Sequence, residues 1–221
     1  MQFSAALKDG TKDLHVAAER TPFARSLIDG TVTRGAFHAH LKLFLAAHAA
    51  LDAALARCHR ALHGAVRPRL PAIAADLSTL AADEVALPPR FLAAIDDIVG
   101  LLETGDAATA VGATYVLEGS ALGGAFLYPR LRAVGAIPEE ALHHYRGHGD
   151  ATFPIWMGIR AVLDATPLDD QANALEAARA VFAVMGRAYA ALERLGEVRE
   201  ESGSYPVVGD RLESPLEKTG A

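Results

Sequence analysis

Residues 33–62, TRGAFHAHLKLFLAAHAALDAALARCHRAL, decide the fold class. Thr33 suits an N-cap, since its hydroxyl can accept a backbone N–H from the first turn. After it, Phe37, Leu41, Phe44, Leu51 and Leu55 recur at three-, four- and seven-residue spacing, which marks one apolar stripe along an α-helix. Much of the remainder is alanine, the best helix former. Gly64 and Pro68 then end the run. Such a long striped helix needs other helices to cover it.

The rest of the chain supplies them. Ser4 can cap a first helix running to about Arg20, and Thr21-Pro22 starts a short second one that Gly30 closes. Further helices fit at 69–82 and 89–103, separated by Pro88-Pro89, and at 106–128, where Pro129 interrupts. Two more fit at 151–165 and 169–195. No stretch alternates with period two for long enough to build a sheet, and no internal repeat is visible. Apolar residues make up 51% of the chain but aromatics only 6%, a balance that favours closely packed helices over a β-sandwich. The expected architecture is all-α: one irregular helical bundle over residues 1–196. The tail at 197–221, rich in Gly, Pro, Ser and charge, is expected to be mobile.

Composition narrows the partners. A formal net charge of −6 and a pI near 5.8 argue against a broad phosphate-binding surface, so nucleic acid is excluded as the expected partner. An anionic ligand must therefore meet a local cluster of cations. Cys58 is the single cysteine, which rules out an intrachain disulfide framework and a thiolate metal cage. The first residues lack a signal-peptide pattern, and no stretch offers eighteen uninterrupted apolar residues. A cytoplasmic protein with no membrane partner is the expectation.

Two segments carry chemistry. On the first helix, Lys8, His15 and Glu19 fall near one stripe, with Thr11 and Lys12 between them. Lys8 and His15 are two turns apart, roughly 10 Å along the axis. An imidazole can hold iron axially, while a lysine two turns away reaches a carboxylate on the rim of the same flat cofactor. Glu19 can orient the ring through its second nitrogen. Taken alone, His-x-x-x-Glu also reads as a surface histidine among charges. The second segment, YVLEGSALGG over residues 115–124, places Gly119, Gly123 and Gly124 inside a helical pattern, at a cost of roughly 3 kcal/mol in helix propensity. Glycines there let a backbone approach a flat ligand, and the G-x-x-x-G spacing serves close helix–helix packing equally well.

The stretch LKDGTKDLHVAAERTPFARSLIDGTVTRGAF, residues 7–37, resembles the N-terminal signature of heme oxygenases, with its L-K-x-x-T-K-x-x-H-x-x-A-E pattern. YVLEGSALGG resembles the distal segment of the bacterial, biliverdin-producing type that accompanies bacteriophytochromes. The resemblance implies His15 as the proximal iron ligand, with Glu19 beside it and Thr11 on the same cofactor-facing stretch. It further implies Lys8 and Tyr115 as anchors of the heme propionates, and Gly119, Gly123 and Gly124 as the backbone crossing the opposite heme face. Ser120 stands where the animal enzymes carry an aspartate that organises water. A basic residue in a later helix aligns with Met157, and Arg160, one turn on, is its expected substitute.

The implied reaction cleaves heme, as both cofactor and substrate, to biliverdin, carbon monoxide and ferrous iron. It uses oxygen and electrons from an external ferredoxin or flavoprotein reductase, since no flavin or nicotinamide motif is present. A bacteriophytochrome is the implied acceptor of the product. Two rival readings are a heme-binding protein that sequesters or senses heme, and a helical di-iron oxidase. The second needs repeated inward Glu and Glu-x-x-His ligands, a set not found here. His59 and His63 have metal-pair spacing but no third ligand near them in sequence. His143, His144 and His148 read as a loop after a short helix, Phe153 and Trp156 as core or pocket wall, and Phe182 and Tyr189 as packing on the last helix.

Overall fold

The computed structural model describes residues 2–197, so the expected tail lies outside the described residues except for Glu197, which belongs to the last helix. Among the described residues ten α-helices follow one another: α1 Phe3–Glu19, α2 Pro22–Asp29, α3 Arg34–Cys58, α4 Arg60–Ala65, α5 Leu70–Thr79, α6 Pro89–Thr104, α7 Ala107–Val134, α8 His143–Arg146, α9 Thr152–Asp164 and α10 Leu168–Glu197. Short 3₁₀ turns link some of them, and the described residues contain no strand.

The core forms around α3, α7 and α10. Phe37, Leu41, Leu51 and Leu55 on the α3 stripe are completely or almost completely buried, and α10 packs along α7, α1 and α6. Closest approach is at Gly112, where an added Cβ would meet the backbone N of Ala178 at 2.6 Å and the side chain of Ala177 at 2.9 Å. The absence of a side chain is what lets α7 and α10 touch backbone to backbone. Both α3 and α7 are long and apolar enough to cross a membrane by length and composition alone, yet about half of each such window is buried inside the bundle. Here they are core helices.

Several boundaries depart from expectation. Thr21 and Thr33 do cap α2 and α3, accepting from the amides of Ala24 and Ala36, but Gln2 rather than Ser4 precedes α1 and gives no side-chain cap. The long helix stops at Cys58, not near Leu62. His59 leaves the helical region at φ −146°, ψ 71°, and its Nδ1 accepts from the amide of Leu62 to start α4. Histidine is outside the usual capping set, so the break has no sequence signature. The α7 helix, expected to be interrupted by Pro129, passes through it to Val134 and ends on Gly135 at φ 73°. Pro129 is exposed, so solvent can take the carbonyl that loses its N–H partner.

Candidate functional site

A cleft of about 1010 Å³ opens between α1 and α7, at the top of the size range for small-molecule and cofactor sites. Lys8, Thr11, His15 and Glu19 reach it from α1, Tyr115, Gly119, Ser120, Gly123 and Gly124 from α7, and Arg160 from α9. The residues that the resemblance assigns to the ligand site thus share one cavity, Arg160 standing in for Met157. Its other walls come from Leu27 and Ile28 of α2, His40 and Phe44 of α3, Trp156 of α9, and Phe182, Met185 and Tyr189 of α10.

His15 is more than half exposed, and its Nδ1 lies 3.6 Å from Oε1 of Glu19. That separation is electrostatic contact, beyond a good hydrogen bond. Phe182 meets the imidazole edge-on, with ring centroids 5.5 Å apart, and so steadies the ring from the last helix. Thr11 is buried, its hydroxyl donating back to the carbonyl of Leu7 at 2.7 Å; it packs the stripe instead of facing outward. Lys8, Lys12 and Arg160 line the rim. Arg160 donates from Nε and Nη2 to Oγ of Ser4 at 3.3 and 3.2 Å, which ties α9 to the start of α1 and leaves the guanidinium in the cleft wall. Met157 does not line the cleft. Burial pushes the Tyr115 phenol up, offset in part by the Thr11 hydroxyl and Arg160.

The glycines separate by role. A Cβ on Gly123 would meet nothing within 4 Å, and one on Gly119 would meet only the Trp156 ring at 3.4 Å. Gly124 would contact Tyr145 at an ordinary 3.6 Å. Helix packing therefore does not require glycine at 119 or 123; it requires it at Gly112, which the sequence reading passed over. The open backbone faces the cleft, with room for a flat ligand. Ser120 lines the cleft, but its hydroxyl donates to the carbonyl of Leu117 at 2.6 Å. Only its oxygen lone pairs remain available.

Other readings shift as well. Phe153 is 62% exposed rather than core or pocket wall. Phe182 and Tyr189 are cleft walls, not only packing residues on α10. His63 pairs with Asp52 at 3.3 Å while His59 serves as a cap, and among the described residues no cluster of three His, Cys, Asp or Glu is arranged to hold a metal ion. His143 and His144 lie on the one-turn helix α8. Asp76 of α5 is fully buried and accepts from both their amides, at 2.9 and 2.7 Å, and contacts Nδ1 of His143 at 2.8 Å.

Sequence reasoning missed a buried polar group behind the cleft. Tyr145 Oη and His40 Nε2 are 2.9 Å apart and both residues are buried. Around them stand Arg69, His144, His48 and Glu118, each at least nine-tenths buried. No spacing rule joins residues of α3, α7, α8 and the turn before α5.

An all-helical bundle with an exposed imidazole, a cationic rim and unpacked glycines around one cofactor-sized cleft is the class of protein that fold and site define. A family model for heme oxygenase matches residues 1–191, and the chain belongs to that family. Similar solved structures include heme oxygenase from Leptospira interrogans (21% identity over 86% of this chain and 99% of that one, TM-score 0.71). Heme oxygenase-2 from Synechocystis sp. PCC 6803, in complex with heme and NO, is similar at 22% identity over 90% and 88%, with a TM-score of 0.75. Heme oxygenase-1 from the same cyanobacterium, in complex with heme, is similar at 17% identity over 91% and 99%, with a TM-score of 0.72. Among curated proteins, none matches.

Proposed function

We propose that this heme oxygenase seats heme between α1 and α7 on His15 and cleaves it to biliverdin, carbon monoxide and ferrous iron. One observation carries the reading. His15, the cationic rim and the unpacked glycines come from separate parts of the chain and line one cleft of the right size.

When bound, heme supplies the redox chemistry and is itself the molecule oxidised. Everything else is positioning by this chain. His15 would hold the iron through a ring nitrogen, its ring kept in orientation by Phe182 and the neighbouring carboxylate of Glu19. Lys8, Arg160 and Tyr115 anchor the propionates through hydrogen bonds that are charge-assisted on the anionic side. Bare backbone at Gly119 and Gly123 would let α7 approach the bound group closely and exclude bulk water. Ser120, its proton committed to Leu117, accepts a hydrogen bond from a water without donating one. Electrons come from an external reductase of the ferredoxin or flavoprotein kind, and a bacteriophytochrome in the same cytoplasm is the acceptor of the product.

The test is a hemin titration followed by reductant in air, with loss of the Soret band and growth of biliverdin absorbance as the expected result. Heme that survives these conditions would make the protein a carrier. His15→Ala should keep its fold, within about 0.5 kcal/mol, because the side chain is exposed, and should lose the iron–histidine band in resonance Raman spectra of the ferrous complex. An unchanged band assigns the ligand to another histidine. Lys8→Ala and Tyr115→Phe should weaken heme binding and yield mixed biliverdin isomers; wild-type affinity and a single isomer in the double variant would overturn the propionate assignment.

A further inference from the structure

Glu118 is 3% exposed, does not line the cleft, and faces α3, where its Oε1 lies 3.6 Å from Nδ1 of His48. The pair is not a salt bridge. Burial, helped by the positive charge of Arg69, lowers the His48 imidazole to about 3, so it is neutral at physiological pH. Arg69, 5% exposed, donates from Nη2 to the carbonyl of His144 at 3.2 Å, while its Nε and Nη1 find no protein partner. Glu118 Oε1, His48 Nε2, His144 Nδ1 and His40 Nδ1 are equally without one.

So many orphaned polar atoms in one buried region cannot be accidental to the fold, because each costs about 1–3 kcal/mol unless satisfied. Ordered water is the partner that fits donors and acceptors together, at two to four hydrogen bonds per molecule. The region also reaches the ligand. Arg69, His40 and His144 line the cleft, and the His144 ring stands 6.1 Å from that of His48, centroid to centroid. A polar path therefore runs from Glu118 past His48 and His144 into the cavity.

We propose that Glu118, with His48, Arg69 and His144, organises a buried water cluster behind α7 that stores and delivers protons to the cleft, in place of an acid at Ser120. The inference rests on the heme oxygenase reading above. Glu118 is a positioning residue that acts through water, from the side of α7 away from the heme. Its carboxyl O–H gives a proton to an adjacent water and becomes a carboxylate, which the Arg69 guanidinium stabilises. The proton passes along the water cluster to the cleft, where oxygen reduction consumes protons, and one from solvent restores the acid.

The balance of charges suits the task. Nearest Glu118 are neutral His48 from α3 and cationic Arg69 from the turn before α5; beyond them stand neutral His144 and Tyr145 from α8, neutral His40 from α3 and half-buried His148, and α10 presents Tyr189 to the His40 ring. Burial pushes the Glu118 carboxyl up to about 7, while Arg69 pulls it down.

Infrared titration of the heme-free wild-type protein gives a readout independent of turnover. A protonated-carboxyl C=O band should vanish as pH rises through about 7 and be missing from Glu118→Gln. In the heme complex, Glu118→Gln should turn over about 100-fold more slowly near pH 6, the low end for a positioned proton donor, with a flat pH profile. Glu118→Asp should keep the pH dependence. The proposal falls if no carboxyl band titrates near neutrality in the wild type, or if Glu118→Gln keeps the wild-type pH profile. Failure of the enzymatic reading shows separately, as heme left intact by the wild-type protein, and it removes the proton role too.

Discussion

Gly112 and Gly123 share one helix, and their substitution should have opposite consequences. Gly112→Ala drives a methyl into the backbone of α10 at Ala174 and Ala178, a collision that no side-chain rotation relieves. A loss of about 3 kcal/mol or more is expected, read as a lower urea midpoint. Gly123→Ala meets open space and should gain up to about 1 kcal/mol from helix propensity. A bulkier Gly123→Leu should fold and still fail to bind heme, because its side chain fills the volume the ligand needs; a heme-loaded, active variant would contradict the assignment of that volume. Spacing alone left both the α1 and the α7 segments open, and it was their resemblance to heme oxygenase signatures that made the cleft lining legible in the sequence. His48, Arg69, Glu118 and His144 were not legible, because what marks them is burial without partners, a property created only when four separate segments meet.

At the scale of elements, punctuation by Thr21, Thr33, Gly30 and the Pro88-Pro89 pair was readable because each acts on its own backbone. Pro129 and the end of α3 were misread because context decides them: an exposed proline tolerated by solvent in one case, the His59 imidazole used as a cap in the other. Helix α8, only one turn long, cannot hold itself together. Asp76 makes it possible by accepting the amides of His143 and His144, which fixes the backbone that carries His144 and Tyr145 to the cleft. Asp76→Ala should cost about 3 kcal/mol, the penalty of stranding buried donors, and should loosen α8 selectively. Faster amide exchange at residues 143–146 than elsewhere in the bundle would show it, whereas uniform exchange would mean that α8 is held by packing alone.

For the molecule as a whole, the buried histidines set the acid limit. His40 and His48 are held at about 3, and His144 well below its ordinary value, all chiefly by burial. A folded value below the unfolded one means that the native state binds fewer protons, so their contribution is complete above about 6.5 and drains away as pH falls toward 3. Glu118 and Asp76, both raised by burial, have the reverse sign and favour folding as pH falls, but His38 and His148, also lowered chiefly by burial, join the first set, making five groups against two. Melting temperature should therefore drop steadily below about pH 6, and replacing His48 by Gln should shallow that slope; an unchanged slope would place the acid-sensitive group elsewhere. The bundle also has a history written into its ends. Helix α1, which carries His15, is joined to helices made much later: the Ser4 amide bonds to Asp164 of α9 at 2.7 Å, and Arg179 of α10 grips Asp13 at 2.9 and 3.0 Å and the carbonyl of Gly10. On a ribosome adding about 5–20 residues per second, α1 is made well before α10, so its side of the cleft stands without the wall that α10 supplies until α10 has followed. A product stalled short of α10 therefore lacks Phe182, Met185 and Tyr189, three side chains of the cleft wall.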